Sequence, residues 1–164
     1  GMITGAVGIT FAHELMHQKT KLERFLADVL MAMATYGHFR TEHVFVHHRY
    51  VGTKKDAVTA RFNESFYTFF LRVIPQCLIS AWSVESQKLA IKNKSTFNLA
   101  NPFYTYAALA SIFVSLSFVI GGTWAVTLFF IQALVAILHL EVVNYIEHYG
   151  LSRKKISENK ISFS

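Results

Sequence analysis

The sequence predicts an all-α integral membrane protein, in which a transmembrane helical hairpin accompanies histidine-bearing helices at the cytoplasmic face. Three observations support this prediction. Of the 164 residues, 52% are hydrophobic and only 16% are charged, which is apolar for a small soluble domain. Residues 95–140 contain no Asp, Glu, Lys or Arg. Six of the eight histidines lie between His13 and His48, most of them at helical spacing.

The predicted hairpin lies in the charge-free region. Two apolar runs, residues 103–120 and 124–140, would each cover roughly 25 to 27 Å as helices, close to the hydrocarbon thickness of about 30 Å. Between them, Gly121, Gly122 and Thr123 form a turn signal. The alternative is a buried helical pair in a soluble protein, but such a pair normally keeps one charged face.

The charges that flank the hairpin predict its orientation. Its turn carries no charge, whereas basic residues lie at both ends, so both ends are expected in the cytoplasm. These residues are Lys88, Lys92 and Lys94 before the hairpin and Arg153, Lys154 and Lys155 after it. Because two crossings return the chain to the side it left, His148 should emerge at the same surface as the earlier histidines.

The remaining elements are predicted from their composition. Residues 1–12 are apolar and Gly-rich, as expected for the tail of a truncated membrane helix, so the chain is expected to be a fragment. Residues 25–37 suit a membrane-embedded or interfacial helix, and the polar residues 49–61 suit a loop. Residues 63–89, which we expect Pro75 to break, suit an amphipathic helix along the interface.

The histidine spacing predicts a metal site. His13 and His17 are four residues apart and can converge from one helix face, and His43 and His47 repeat this geometry. On an ideal helix His48 points about 140° away from His43. It therefore serves a second ion or is brought in by a local distortion of the helix. The three histidines at positions 43, 47 and 48 therefore favour two metal ions over one.

The end of the predicted hairpin adds polar groups to this site. Glu141, Asn144 and His148 fall within about 60° of one another on a helix, so they share one face. Polar groups near hydrocarbon tend to be functional, although an interfacial helix end can also hold them simply hydrated. His38 and His139 do not match the spacing of the clusters and are assigned no role.

Composition also excludes two classes of protein. The net charge of +6 comes from basic residues scattered among apolar stretches, without the clustered basic face of a nucleic-acid-binding protein, so anionic membrane lipid is the simpler partner. Cys77 is the single cysteine, so a disulfide within the chain and a thiolate metal cluster are both excluded. No role is assigned to Cys77.

Three motifs resemble the signature of bacterial membrane-bound alkane 1-monooxygenases, relatives of the integral-membrane fatty acid desaturases. The motifs are residues 13–17 (HELMH), 42–48 (EHVFVHH) and 144–150 (NYIEHYG), the last being the most specific. The resemblance covers residues 9–151, well under half of a complete member. It implies that residues 1–164 are one fragment of a desaturase-like membrane domain, with hairpin helices at 103–120 and 124–141.

The resemblance also implies an activity and a location. Members hydroxylate the terminal carbon of alkanes with O2 at a His-rich di-iron centre, facing the cytoplasm in the bacterial inner membrane, with rubredoxin as electron donor. The positions that match iron ligands are His13, His17, His43, His47, His48 and His148. The polar residues then expected to orient these ligands are Glu14, Glu42, Glu141, Asn144 and Glu147.

Three departures from the family pattern accompany the match. Gln18 stands where members usually have Lys, Val46 replaces a usual Gly, and a final His-rich box is not found. We therefore expect this polypeptide alone not to hold a complete di-iron centre. Three other functions remain open: a membrane fatty acid desaturase or hydroxylase, a zinc metalloprotease using the HExxH string of residues 13–17, and a non-enzymatic metal-binding membrane segment.

Overall fold

The computed structural model describes residues 1–153 in full and the backbone of residues 155–157 and 160–161. Six α-helices and two π-helical turns make up most of it. The helices are α1 (Ile9–Met16), α2 (Lys21–Ala32), α3 (Phe39–Glu42), α4 (His48–Tyr50), α5 (Phe66–Ile91) and α6 (Phe103–His148). The π-helical turns are Thr4–Gly8, before α1, and His43–His47, between α3 and α4. Two short strands, β1 (Lys155–Ser157) and β2 (Lys160–Ile161), pair antiparallel after the last helix.

Small residues let the N-terminal helical segment pack closely on the second half of α6. A Cβ added to Gly5 would lie 3.0 Å from the Cβ of His139 and 3.2 Å from the Cα of Ala136. A Cβ on Gly1 would lie 2.9 Å from Val135, whereas one on Gly8 would meet only an ordinary contact at 3.8 Å. Gly1 and Gly5 therefore form a close helix contact of the small-xxx-small type.

Helix α2 is capped at its start by the side chain of Thr20 and is joined to α3 by an ion pair. The Thr20 hydroxyl accepts a hydrogen bond from the backbone N–H of Glu23, and it donates one to the Glu23 carboxylate. On its buried face, Asp28 accepts hydrogen bonds from the Arg40 guanidinium in α3 at 2.5 and 3.1 Å. The helix predicted over residues 25–37 is observed, but it begins earlier, at Lys21, and ends at Ala32.

Helix α5 is continuous through Pro75, so the expected break at this residue is wrong. Pro75 lies on the exposed side of the helix, where the carbonyl that it leaves without an N–H partner need not be satisfied by protein. The opposite side buries a stripe in which every fourth residue faces inward: Phe69, Val73, Cys77, Ala81, Glu85 and Leu89. This stripe packs the helix against the rest of the protein on both sides of Pro75.

The loop of residues 51–65 is more buried than its polar sequence suggests. Ala57, Val58 and Ala60 pack against α5. Arg72 in α5 holds the loop in place, because its guanidinium donates to the carbonyl of Ala57 at 2.9 Å and to the Glu64 carboxylate at 2.8 and 2.9 Å. The predicted loop of residues 49–61 is confirmed from residue 51 onwards, whereas Arg49 and Tyr50 belong to α4, and the loop is part of the core.

Helix α6 changes direction at two glycines. Gly121 has φ −152° and ψ 25°, and Gly122 has φ 59° and ψ −149°, so neither residue is helical. The conformation of Gly122 is one that essentially only glycine adopts. The helix is therefore divided at the two residues where the sequence predicts a turn.

Contacts at the two ends of α6 show that this break reverses the chain. Tyr106 packs so closely on Gly37 that a Cβ on the glycine would lie 2.9 Å from the Cβ of Tyr106. The neighbouring Tyr36 donates a hydrogen bond to Glu141 at 3.2 Å. A straight helix would hold residues 106 and 141 about 52 Å apart, so both cannot reach adjacent residues unless the two halves of α6 fold back.

Helix α6 is also long and apolar enough to cross a membrane. Its most apolar stretch has a mean hydropathy of 2.2, and only 17% of that stretch is buried in the protein. The core helix of a soluble protein can be as apolar, but it is mostly buried. Large exposed apolar side chains, such as Ile120 at 83% and Trp124 at 78%, instead surround the glycine break.

Candidate metal centre

The first pair of histidines lies at the end of α1. His13 is in the last turn of the helix and His17 caps its C-terminus, and their ring centroids are 5.0 Å apart. The predicted convergence of residues four apart is therefore observed. His13 also reaches across to the second cluster, where its Nε2 lies 2.8 Å from Nε2 of His43.

A π-helical turn brings His48 to the same place. The backbone N–H of His48 donates to the carbonyl of His43, five residues earlier, so the turn is wider than an α-helix. Residues five apart then lie nearly above one another, and Nε2 of His48 is 3.0 Å from Nε2 of His43. Of the two alternatives that the sequence left open for His48, the structure shows the local distortion.

The remaining histidines complete one contiguous cluster. The rings of His17 and His48 lie 4.8 Å apart, those of His43 and His47 5.2 Å, and those of His47 and His148 4.6 Å. The structure therefore brings together all six histidines that the sequence singled out, from α1, the second π-helical turn, α4 and the end of α6.

Burial keeps the central imidazole neutral. Burial and, to a smaller extent, the neighbouring histidines, His13 foremost, together lower the pKa of His43 to about 2. Its Nδ1 is buried without a hydrogen-bond partner among the described residues. Neutral imidazoles are the form that binds metal.

The donor set fits a transition metal. Metal–nitrogen bonds of about 2.0–2.1 Å hold neighbouring ligand atoms roughly 3 Å apart, and the Nε2 atoms of His13 and His48 lie 2.8 and 3.0 Å from that of His43. One ring nitrogen each from His13, His17 and His43 lies within 4.8 Å of the others. Imidazole ligands suit iron, zinc, copper and nickel, so the geometry alone does not select the metal.

Two of the histidines are oriented by hydrogen bonds on their other ring nitrogen. Nδ1 of His47 lies 3.0 Å from the carboxylate of Asp56. Nδ1 of His148 lies 2.8 Å from the backbone carbonyl of Asn144. When Nδ1–H donates in each of these bonds, Nε2 carries the lone pair and can bind a metal.

Asp56 is the site residue that the sequence analysis missed. It is 3% exposed, and its carboxylate also accepts hydrogen bonds from the Thr59 hydroxyl at 2.5 Å and the backbone N–H of Val58 at 3.1 Å. It lies nine residues after His47 in an irregular loop, where no helical spacing applies. The available signal was that Asp56 and Asp28 are the chain's two aspartates.

The polar residues proposed as partners of the histidines occupy different environments. Glu141 is fully buried and accepts hydrogen bonds from Tyr36 and Asn144, each at 3.2 Å. Glu42 is also fully buried, and its carboxylate oxygens have no hydrogen-bond partner in the described part of the chain.

Burial raises the pKa of Glu42 well above its usual range, and the carboxylates of Asp56 and Glu141 raise it further. Glu14 and Glu147, in contrast, are exposed at the rim of the cluster. Their negative charges act on His13 by raising its pKa, against the larger lowering by burial and by His17.

A cavity of about 500 Å³ lies beside the cluster, between the N-terminal helical segment and the second half of α6. Five of the clustered histidines line it, together with His139 and apolar side chains that include Ile9, Phe39 and Leu140. His38 lies elsewhere, packed against Tyr36, and burial lowers its pKa to about 4. His38 therefore stays outside the site, as the sequence predicts, whereas His139 lies at its edge.

These features define a helical protein with a long apolar helix and a histidine cluster that could hold metal. The chain belongs to the fatty acid desaturase family, whose sequence profile matches residues 1–162.

Its similar relatives include alkane 1-monooxygenases. It is 38% identical over 160 residues to alkane 1-monooxygenase 1 of Pseudomonas aeruginosa, covering 94% of this chain and 41% of the relative. It is 35% identical over 154 residues to alkane 1-monooxygenase 2 of Alcanivorax borkumensis, covering 94% of this chain and 40% of the relative. It is 29% identical over 151 residues to the hydroxylase component of the xylene/toluene monooxygenase of Pseudomonas putida, covering 92% of this chain and 41% of the relative. The chain thus spans about two fifths of the length of these relatives.

Proposed function

We propose that this chain forms part of an alkane 1-monooxygenase, an enzyme that hydroxylates the terminal carbon of an alkane to a 1-alkanol with O2. The observation that carries the proposal is the single cluster of six imidazoles, in a chain similar to alkane 1-monooxygenases over nearly its whole length. We propose that residues 1–164 are one part of a desaturase-like membrane domain.

The proposed metal is a pair of non-haem iron ions, for which the six clustered histidines provide ligands and the rest of the full-length protein completes the set. Six imidazoles exceed what one six-coordinate ion can take while leaving a position for O2, which favours two ions. Bound iron would supply the oxygen and redox chemistry that no side chain provides. The imidazole donors lie close together, and burial keeps the central one, His43, neutral.

The protein's own residues hold and orient these ligands. Asp56 and the carbonyl of Asn144 orient His47 and His148, which leaves Nε2 of each ring available. We propose that the residues expected from the sequence, Glu14, Glu42, Glu141, Asn144 and Glu147, adjust the position and charge of the cluster. Among them Glu42 is the one whose buried oxygens have no hydrogen-bond partner among described groups, so it is placed to respond to bound metal.

The apolar cavity beside the cluster is the proposed place for the alkane. Apolar side chains, among them Ile9, Phe39 and Leu140, form part of its wall and suit an apolar substrate, and the histidines line its polar side. We propose that the two halves of α6 cross the bacterial inner membrane as a hairpin whose ends face the cytoplasm. An apolar substrate could then enter from the bilayer, and a cytoplasmic rubredoxin could deliver electrons.

A membrane fatty acid desaturase or hydroxylase is the second candidate, favoured by the family to which the chain belongs. It would use the same metal centre and differ in substrate.

Purified full-length protein tests both candidates. We expect about two irons per chain, and O2 consumption that depends on a medium-chain alkane and rubredoxin and yields the 1-alkanol. Turnover of a fatty acyl substrate with no alkane oxidation would instead support the second candidate, and the absence of iron would contradict both.

A further inference from the structure

A second cavity, of about 650 Å³, lies away from the proposed alkane cavity. We call it the basic cavity, because its walls carry six cationic side chains: Lys19, Arg24, Arg40, Lys88, Lys92 and Lys94. Glu85 is the one carboxylate among its lining residues. The basic cavity lies between the segment after α1, helices α2 and α3, the end of α5 and the connection to α6.

Most of this positive charge is not neutralised. Arg40 pairs with Asp28, and the Lys88 ammonium donates to Glu85 at 2.9 Å. The other four cations, Lys19, Arg24, Lys92 and Lys94, form no ion pair with any residue that the structure describes. A concave surface lined by one sign of charge focuses the electrostatic field and attracts a ligand of the opposite sign.

The surroundings of the basic cavity are apolar. Ala100 and Pro102 line it immediately before the long apolar helix α6 begins. Nearby, Ile91 at the end of α5 is 83% exposed, and Phe97 and Leu99 in the connection are 72% and 85% exposed. A cationic cavity next to exposed apolar side chains, at the base of an apolar helix, has the polarity of a membrane interface.

We propose that the basic cavity binds the phosphate-bearing headgroup of an anionic phospholipid, whose acyl chains contact Phe97 and Leu99. This inference rests on the proposed membrane location of α6. The unpaired lysines and arginine provide the charge-assisted hydrogen bonds that phosphate oxygens accept. The bound lipid anchors the end of α5 and the start of α6 beside His17, which also borders the basic cavity.

The shape favours a lipid over an acidic protein as the ligand. A stable protein–protein interface buries about 800 Å² on each partner and needs a broad surface. The basic cavity is instead a concave site, and its exposed apolar neighbours match acyl chains. The competing ligand is an acidic protein that carries electrons, and the experiment below distinguishes it from a lipid.

Native mass spectrometry of the detergent-purified full-length protein can measure the binding. The protein is titrated with phosphatidylglycerol or with phosphatidylcholine of the same acyl chains. We expect retention of phosphatidylglycerol but not of phosphatidylcholine. Each cation near an anionic lipid contributes about five-fold in affinity, so the double variant Lys92→Gln, Lys94→Gln should bind phosphatidylglycerol about 25-fold more weakly.

The matched control is Lys54→Gln, Lys55→Gln, which removes the same charge from two exposed lysines. Neither lysine lines the basic cavity, and their loop is held by Arg72, which lies 20 residues before Lys92 in the sequence. We expect less than a two-fold change for this control. Ala100→Glu, which adds a negative charge at the wall and removes no cation, should also weaken binding.

Three results would overturn the proposal. The first is equal retention of both lipids, and the second is an equal loss of phosphatidylglycerol binding in the two double variants. The third is that Lys92→Gln, Lys94→Gln weakens the binding of rubredoxin and leaves the binding of phosphatidylglycerol unchanged. Displacement of the lipid by millimolar inorganic phosphate at constant ionic strength would show that the cavity selects free phosphate, which would also contradict the lipid assignment. The measurement needs neither iron nor turnover, so its failure is distinguishable from failure of the proposed function.

Discussion

Replacing Asp56 by Asn tests whether the buried carboxylate supports the metal centre. Oδ2 of Asp56 lies 3.0 Å from Nδ1 of His47 and 2.5 Å from the Thr59 hydroxyl, while Oδ1 accepts from the N–H of Val58. An amide has one acceptor oxygen, so in either orientation its NH2 group faces a donor that the carboxylate now accepts from. If the NH2 group faces His47, the ring loses its orientation or its preferred tautomer. If it faces Val58 instead, the two N–H groups repel, and the side chain shifts relative to His47.

The expected loss can be estimated from this geometry. Removing a group that orients a metal-bound histidine usually lowers metal affinity by about 10–100-fold, which corresponds to about 1.4–2.7 kcal/mol. The variant should also unfold more readily by about 1–3 kcal/mol, because a buried donor is left without an acceptor. Metal affinity and stability must therefore be measured separately.

Asp28→Asn is the matched control, because Asp28 is also buried and also accepts hydrogen bonds from a side chain, that of Arg40, but bonds no histidine that the structure describes. Iron transfer to a competing chelator is followed for each full-length protein, alongside thermal unfolding in detergent. We expect both variants to be destabilised and only Asp56→Asn to release iron more readily. If the two variants keep iron equally well, Asp56 only anchors its loop through Thr59 and Val58.

Three further predictions concern helix packing, the glycine break and a buried histidine. Gly5→Leu should destabilise the fold by about 1–3 kcal/mol because its side chain would overpack against Ala136. Gly8→Leu should change stability by less than about 0.5 kcal/mol, because a Cβ there meets only an ordinary contact at 3.8 Å. Equal melting temperatures of the two variants would exclude the close contact at Gly5. Gly122→Ala should lower the free energy of unfolding by about 1–3 kcal/mol, because the φ of 59° and ψ of −149° at this position are strained for alanine. An unchanged melting temperature would contradict that conformation. The folded-state pKa of His38, about 4, lies below the ordinary 6.5, so the unfolded chain binds more protons and stability falls as the pH drops from 7 towards 4. At pH 5 the loss in the free energy of unfolding is about 2 kcal/mol. The variant His38→Phe should not show this loss when its unfolding is measured at pH 7 and pH 5. The same pH dependence in both proteins would refute the lowered pKa of His38.

Several features of the site can be predicted from sequence because they depend on local periodicity. His13 and His17 converge from one end of α1, as residues four apart in a helix must. The glycine pair breaks α6 at the predicted turn, because Gly122 adopts a conformation open to few other residues. The link to His148 also agrees with the predicted return of the chain.

Other features depend on irregular backbone. The π-helical turn that places His48 on His43 differs from an α-helix by one residue in a turn, and nothing in the periodicity distinguishes a distortion from a second site. Pro75 was expected to break α5, but its exposed position lets the helix continue. Burial, which decides that outcome, is a property of packing.

By itself, the sequence determines which histidines are available, where the long apolar helix lies and where the chain can turn, because these follow from residue type and helical spacing. Only the tertiary structure decides that His47 is held by Asp56 and that unpaired cations from separate segments, among them Lys19 and Lys92, line one cavity. The physical reason is that these contacts join residues whose separation along the chain follows no period. Hydrogen bonds, burial and charge act between neighbours in space, and which residues become neighbours is set by how the helices pack.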